Sequence, residues 1–132
     1  MKNILFVCIE NAGRSQMAEA FANKYGKGKI RATSGGTRPA ASVNPTVAKV
    51  MLEKGIDITR NTPKTIDQSE AKRTDAVITM GCYEAEGICP APLYRDAVDW
   101  NIEDPKGKPV EEVRRIRDEI EKRVKELIEQ IG

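Results

Sequence analysis

The chain contains no histidine. Ser-His-Asp triads, Cys-His proteases and His-ligated zinc sites are therefore excluded, because each needs an imidazole as base or ligand. Cysteine is scarce: Cys8, Cys82 and Cys89 are the only three in 132 residues. An odd number at wide spacing makes a poor structural disulfide framework. Taken alone, the three thiols read as small core hydrophobes. Long apolar runs are absent too. The longest spans residues 4–9, short of the ~20 residues of a membrane helix and of a secretory-signal core. Neither sign of charge dominates, with 22 Lys and Arg against 20 Asp and Glu. That balance argues against a polybasic nucleic-acid or membrane module. A cytoplasmic protein is expected, with no nucleic-acid or membrane partner.

What is present fits one globular domain over residues 1–132, since 39% hydrophobic and 32% charged residues suffice for a core without staples. Residues 2–8 form an unbroken apolar run after Lys2-Asn3, as expected of a strand buried on both faces. A helix follows from Ser15, with Met17, Ala18, Phe21, Ala22 and Tyr25 on one face. Residues 30–34 read as a second strand closed by Gly35-Gly36. Asn44-Pro45 starts a helix, Asn as cap and Pro in the first turn, and Gly55 lies where a left-handed cap would end it. Residues 65–73 read as a short helix, with Thr65 and Gln68 at capping-box spacing. A third strand is expected at 75–80 and a shorter fourth at 97–102. The final helix carries Val113, Ile116, Ile120, Val124, Leu127 and Ile131 at steps of three and four. Its span suits a helix packed on a sheet better than a coiled coil. Strands alternating with helices give an α/β fold with a mostly parallel sheet of about four strands.

The chemistry concentrates in Cys8-Ile9-Glu10-Asn11-Ala12-Gly13-Arg14-Ser15. This loop runs from the first strand into the first helix, where open α/β sheets bind ligands. A helix N-terminus offers free N–H groups to an anion. Gly13 permits the tight turn that points successive N–H groups inward. Arg14 adds a planar fork that fits two oxygens of a tetrahedral oxyanion. The same field favours the thiolate of Cys8, and Ser15 is placed to donate a hydrogen bond to it. A thiolate under an oxyanion cradle is a nucleophile aimed at phosphorus or arsenic. The plain alternative, a core Cys and a surface Arg, does not account for the strand before, the Gly within and the helix after. Glu10 is out of place in an anion loop, and its side chain is expected to point away from the cradle. Asn11 is expected to brace the loop or to take a left-handed backbone there.

The stretch from Cys8 through Arg14-Ser15-Gln16-Met17-Ala18-Glu19 resembles the active-site loop of thioredoxin-coupled arsenate reductases, which share the low-molecular-weight tyrosine phosphatase fold. The resemblance continues through Thr33-Ser34-Gly35, Asn44-Pro45, the strand ending at Met80, Cys82 to Cys89-Pro90, and Trp100 to Asp104-Pro105. It implies that Cys8 attacks arsenate and that Cys82 then attacks Cys8, releasing arsenite. Cys89 would pass the oxidation on as a Cys82–Cys89 disulfide, which thioredoxin would reduce. It assigns Asp104 as the general acid; alone, Asp-Pro is a turn dipeptide. It also offers a potassium site at Asn11, Glu19, Ser34 and Asp67, with no other cofactor required. Phosphate or sulfate would act as substrate analogues, and the role implied is arsenical resistance.

One expectation about the relay is geometric. Seven residues of helix separate Cα atoms by about 10 Å, and a disulfide needs them within about 7 Å. Residues 82–89 therefore cannot remain a regular helix once Cys82 and Cys89 are joined. A zinc site there would lack a fourth ligand and the short Cys-x2-Cys knuckle.

Two other readings compete. A tyrosine phosphatase would use Cys8, Arg14 and Asp104 through a phosphocysteine. Such enzymes place Pro after Arg-Ser and aromatic residues after Asp-Pro, whereas this chain has Gln16 and Lys106-Gly107. It also has two further cysteines that a phosphatase does not need. A non-enzymatic oxyanion-binding module would lose no thiols to arsenate. Some reductases of this kind carry another Cys where Gly13 stands, so this chain is left with the three relay thiols.

Overall fold

The computed structural model describes residues 1–81 and 98–131. Four strands form one parallel sheet: β1 (Lys2–Cys8), β2 (Ile30–Gly36), β3 (Ala76–Thr79) and β4 (Val98–Asp99), in the order β2-β1-β3-β4. The helices are α1 (Arg14–Tyr25), α2 (Pro45–Leu52), α3 (Gln68–Arg73) and α4 (Val110–Ile131). Among the described residues, no helix is long and apolar enough to cross a membrane.

β1 lies between two strands and is buried on both faces, which is why its apolar run is continuous rather than alternating. Successive side chains still point to opposite faces. Ile4, Phe6 and Cys8 join the large core with Met17 and Phe21 of α1, Val47 and Met51 of α2, and Val113, Ile116 and Ile120 of α4. Leu5 and Val7 face the other way, into a small cluster with Val77, Ile66 and Ala71. Phe6 also meets buried Trp100, with ring centroids 5.7 Å apart.

Asn44 caps α2 as expected, Oδ1 accepting from the N–H groups of Thr46 at 2.9 Å and Val47 at 3.4 Å. Gly55, just beyond the helix, has φ +76. Three expectations need correction. Gly35 and Gly36 do not follow β2 but are its last two residues; a Cβ at either would lie within 3.0 Å of the backbone of Ile66 or Ile9, which is why glycine stands there. Thr65 does not cap a helix; it pairs with Gly36 in an isolated bridge. Asp67 takes the capping role, Oδ1 accepting from Ser69 N–H at 3.0 Å and from its hydroxyl at 2.8 Å, and α3 accordingly starts at Gln68. The fourth strand is only Val98–Asp99; Ile102 leaves the sheet to hold the site.

β1 connects to β2 on one side, and the chain then crosses to β3 on the other. The crevice at such a switch point, beyond the carboxyl ends of the strands, is where open α/β sheets bind ligands. Cys8 ends β1 there, and Gly81 follows β3.

Candidate active site

Cys8 is 3% exposed. Its sulfur lies 2.8 Å from Ser15 Oγ and accepts the Asn11 backbone N–H at 3.2 Å. Asn11 adopts φ +51, a left-handed conformation that Asn tolerates better than most residues. Its Nδ2 donates to Ser15 Oγ at 2.7 Å and to Ser34 Oγ at 3.0 Å. Ser15 has one hydrogen. Since its oxygen receives the Asn11 N–H, that hydrogen is available to the sulfur. Two donors therefore converge on Sγ, an arrangement that suits a thiolate.

The loop turns its N–H groups inward because its carbonyls are held outward. The carbonyls of Cys8, Ile9, Glu10 and Ala12 accept from the N–H groups of Thr37, Arg38, Ala40 and Asn44, at 3.3, 2.8, 2.9 and 2.9 Å. A trans peptide sets each C=O opposite the next N–H. The N–H groups of residues 9, 10, 11 and 13 consequently face away from segment 37–44, and that of Asn11 reaches the sulfur. No side chain caps α1 at Gly13, which leaves its first-turn donors to an anion.

Arg14, 7% exposed, is fixed before any ligand arrives. Its Nη1 donates to the carbonyls of Met80 at 2.7 Å and Ile102 at 2.9 Å. Nη2 lies 3.8 Å from Asp104 Oδ2, whose side chain is about half exposed. Asp104 Oδ1 accepts from Lys106 N–H at 3.0 Å, which sets the turn at Pro105. Glu10 is answered by Lys106, whose Nζ lies 3.1 Å from its carboxylate. Above the sulfur opens a cleft of about 560 Å³, lined by the loop, Arg38, residues 42–45 and residues 104–106.

The structure thus brings Cys8, Ile9, Glu10, Asn11, Ala12, Gly13, Arg14, Ser15 and Asp104 to one place. Cys82 and Cys89, and the loss of regular helix expected between them on oxidation, lie outside the described residues. Of the four residues offered for potassium, Ser34 Oγ donates to Glu19 Oε1 at 2.9 Å, and Asp67 caps α3. Asn11 does not fit as a side-chain ligand. Its Oδ1 accepts from Gln16 Nε2 at 3.1 Å and Lys64 N–H at 3.0 Å, so its nitrogen faces Ser34. Sequence reasoning missed segment 37–44, the two carbonyls that hold Arg14, and Lys64. All of these act through the backbone, for which residue type carries no signal.

A parallel sheet whose central strand delivers a hydrogen-bonded cysteine into an arginine-closed anion loop defines a class: enzymes that attack tetrahedral oxyanions with a thiolate. The chain belongs to the low molecular weight phosphotyrosine protein phosphatase family, which it matches over residues 3–132. It is 42% identical to arsenate reductase 2 of Bacillus cereus, over 97% of this chain and 95% of that one. The solved structure of an arsenate reductase in a phosphate-binding state superimposes with TM-score 0.88 at 40% identity, covering 100% of both chains. A thioredoxin-dependent arsenate reductase of Corynebacterium glutamicum aligns with TM-score 0.79 at 33% identity, over 99% of this chain and 62% of that one.

Proposed function

We infer that this chain is an arsenate reductase, converting arsenate to arsenite through Cys8 and a relay over Cys82 and Cys89. The observation that carries the reading is the pair of donors on Cys8 Sγ, at 2.8 and 3.2 Å, at the floor of the anion cleft. Relatives of nearly full length that bear the reductase name support it.

The inward N–H groups and Arg14 bind the oxyanion and orient arsenic over the sulfur. The thiolate attacks arsenic(V), and an As–O bond breaks. Asp104 protonates the departing oxygen, which leaves as water. The Cys82 thiolate attacks the Cys8 sulfur. An S–S bond forms as the As–S bond breaks, and its electron pair stays on arsenic, which departs as arsenite. Two thiols are oxidised, and arsenic gains two electrons. Cys89 then displaces Cys8 from Cys82, and a thioredoxin dithiol reduces the Cys82–Cys89 disulfide. Thioredoxin as the partner has support from the Corynebacterium relative. Such a relay needs a compartment that keeps thiols reduced, so the cytoplasm is its place. A potassium ion, if bound, would be held by side-chain oxygens of Glu19, Ser34 and Asp67 and would steady the loop; no step passes through it.

The test is a thiol count. Reduced protein treated with arsenate should lose two free thiols per chain as arsenite appears, and thioredoxin should restore them. Cys82→Ser should stop cycling while sparing any aryl phosphate hydrolysis. Hydrolysis of aryl phosphates, with all thiols intact after arsenate, would move the chain to the phosphatase reading.

A further inference from the structure

Four side chains form a line of hydrogen bonds that ends on the nucleophile. Asn61 Nδ2 donates to Gln16 Oε1 at 3.0 Å, and Gln16 Nε2 donates to Asn11 Oδ1 at 3.1 Å. Asn11 Nδ2 donates to Ser15 Oγ at 2.7 Å, and Ser15 Oγ lies 2.8 Å from Cys8 Sγ. A side-chain amide can be turned over, so the direction of such a line depends on a partner that cannot. Here that partner is the backbone N–H of Lys64, which can only donate and meets Asn11 Oδ1 at 3.0 Å. With that oxygen fixed, every link donates toward the sulfur.

We propose that Gln16 is a positioning residue for Cys8, acting through Asn11 and Ser15. Gln16 is 3% exposed and is not among the residues lining the cleft, so it does not touch the substrate. It supplies the second donor to Asn11 Oδ1 beside Lys64. Each donor polarises the next, and aligned donors strengthen one another. The effect is delivered as a firmer O–H···S bond from Ser15 to the attacking sulfur. Asn61, at the exposed end of the line, donates to Oε1 and so supports the orientation of Gln16 that Lys64 and Asn11 dictate, with Nε2 toward Asn11. The inference rests on Cys8 being the nucleophile. Its readout needs neither arsenate nor the relay, so its failure is distinguishable from failure of the reductase reading.

The experiment uses the full chain carrying Cys82→Ser and Cys89→Ser, so that Cys8 is the one thiol. Iodoacetamide alkylation and thiolate ultraviolet absorbance are measured at pH 7, with inorganic phosphate as protecting anion. Adding Gln16→Met, similar in length but without a donor, should slow alkylation about fivefold, the effect of one hydrogen bond. Absorbance should fall in parallel while phosphate still protects. Asn61→Ala, at an exposed position, should slow alkylation about twofold. An effect in Gln16→Met alone supports the proposal and ends the line at Gln16. Unchanged alkylation and absorbance in Gln16→Met would overturn it. Should Gln16→Met fail to fold, unchanged alkylation and absorbance in Gln16→Leu, a smaller apolar replacement that also lacks the donor, would overturn it instead.

Discussion

Gly36 shows how the site depends on one missing carbon. A Cβ there would lie 2.5 Å from the Ile9 carbonyl oxygen and 3.0 Å from the Asn11 nitrogen. Both are backbone atoms of the anion loop, so neither can swing aside. Gly36→Ala should therefore push the loop off β2, at a cost of about 1–3 kcal/mol, and weaken phosphate protection of Cys8 against alkylation. Denaturant melts and alkylation rates check the two effects separately. Gly81 is constrained in the same way: it has φ +106, and a Cβ would stand 3.0 Å from Ile102 O and 3.1 Å from Arg14 Nη1. Asp104 is different, because its role is chemical. Asp104→Asn keeps a side-chain oxygen for the Lys106 N–H but has no proton to give. Arsenate-driven thiol loss should slow by roughly 100-fold or more, while phosphate protection of Cys8 persists. Equal loss of binding and rate would mean that Asp104 orients the anion rather than protonating it.

At the scale of elements, legibility followed the kind of force at work. β1, α1, α2 and α4 were readable because hydrophobic period and caps are local. The anion loop was readable for the same reason, since Cys8 through Ser15 are contiguous. The misreading at Thr65 came from a long-range pairing with Gly36, which no local pattern encodes. Arg117 is the clearest element-level surprise. It sits within the apolar stripe of α4, yet it is 7% exposed. Its Nη1 donates to Val50 O at 2.9 Å and to Glu53 Oε1 at 2.6 Å, tying α4 to the end of α2. Arg117→Met would fill the space but leave that carbonyl unpaired, costing about 1–3 kcal/mol. The tie also has a pH signature. Hydrogen bonds from Arg114 first, then Arg117, hold the Glu53 carboxyl down at about 2, against an ordinary 4.5. A depressed carboxylate contributes stability that is complete above 4.5 and lost as pH falls toward 2. Acid unfolding of Arg117→Met should therefore depend less steeply on pH across that window than in the parent. An identical slope would show that the Arg117 contact with Glu53 does not contribute to folding.

Across the whole molecule, the binding crevice and the ties that hold the helices lie in different places. Tyr25, the last residue of α1, donates to Glu121 Oε2 of α4 at 2.6 Å, and Lys54 Nζ stands 3.2 Å from the same carboxylate. The hydrogen bond to Glu121, then burial, then the nearby negative charge push the Tyr25 hydroxyl up to about 12 from an ordinary 10.0. A raised acid contributes stability that is complete below 10 and lost as pH rises toward 12. The acid-sensitive tie at Glu53 and the base-sensitive tie at Tyr25 thus bracket a stable range without involving Cys8. Tyr25→Phe should lower stability by about 1 kcal/mol at neutral pH, the value of one hydrogen bond, and should remove part of the alkaline loss. Ligand linkage then separates fold from site. An anion that binds only the folded chain adds about 2.7 kcal/mol at 100 times its dissociation constant, whatever the starting stability. Phosphate should therefore stabilise Tyr25→Phe and the parent by equal free energies, and Gly36→Ala by much less. If phosphate stabilised Tyr25→Phe less than the parent, the α1–α4 tie would be transmitting strain to the cradle, and the two ends of α1 could not be treated as independent.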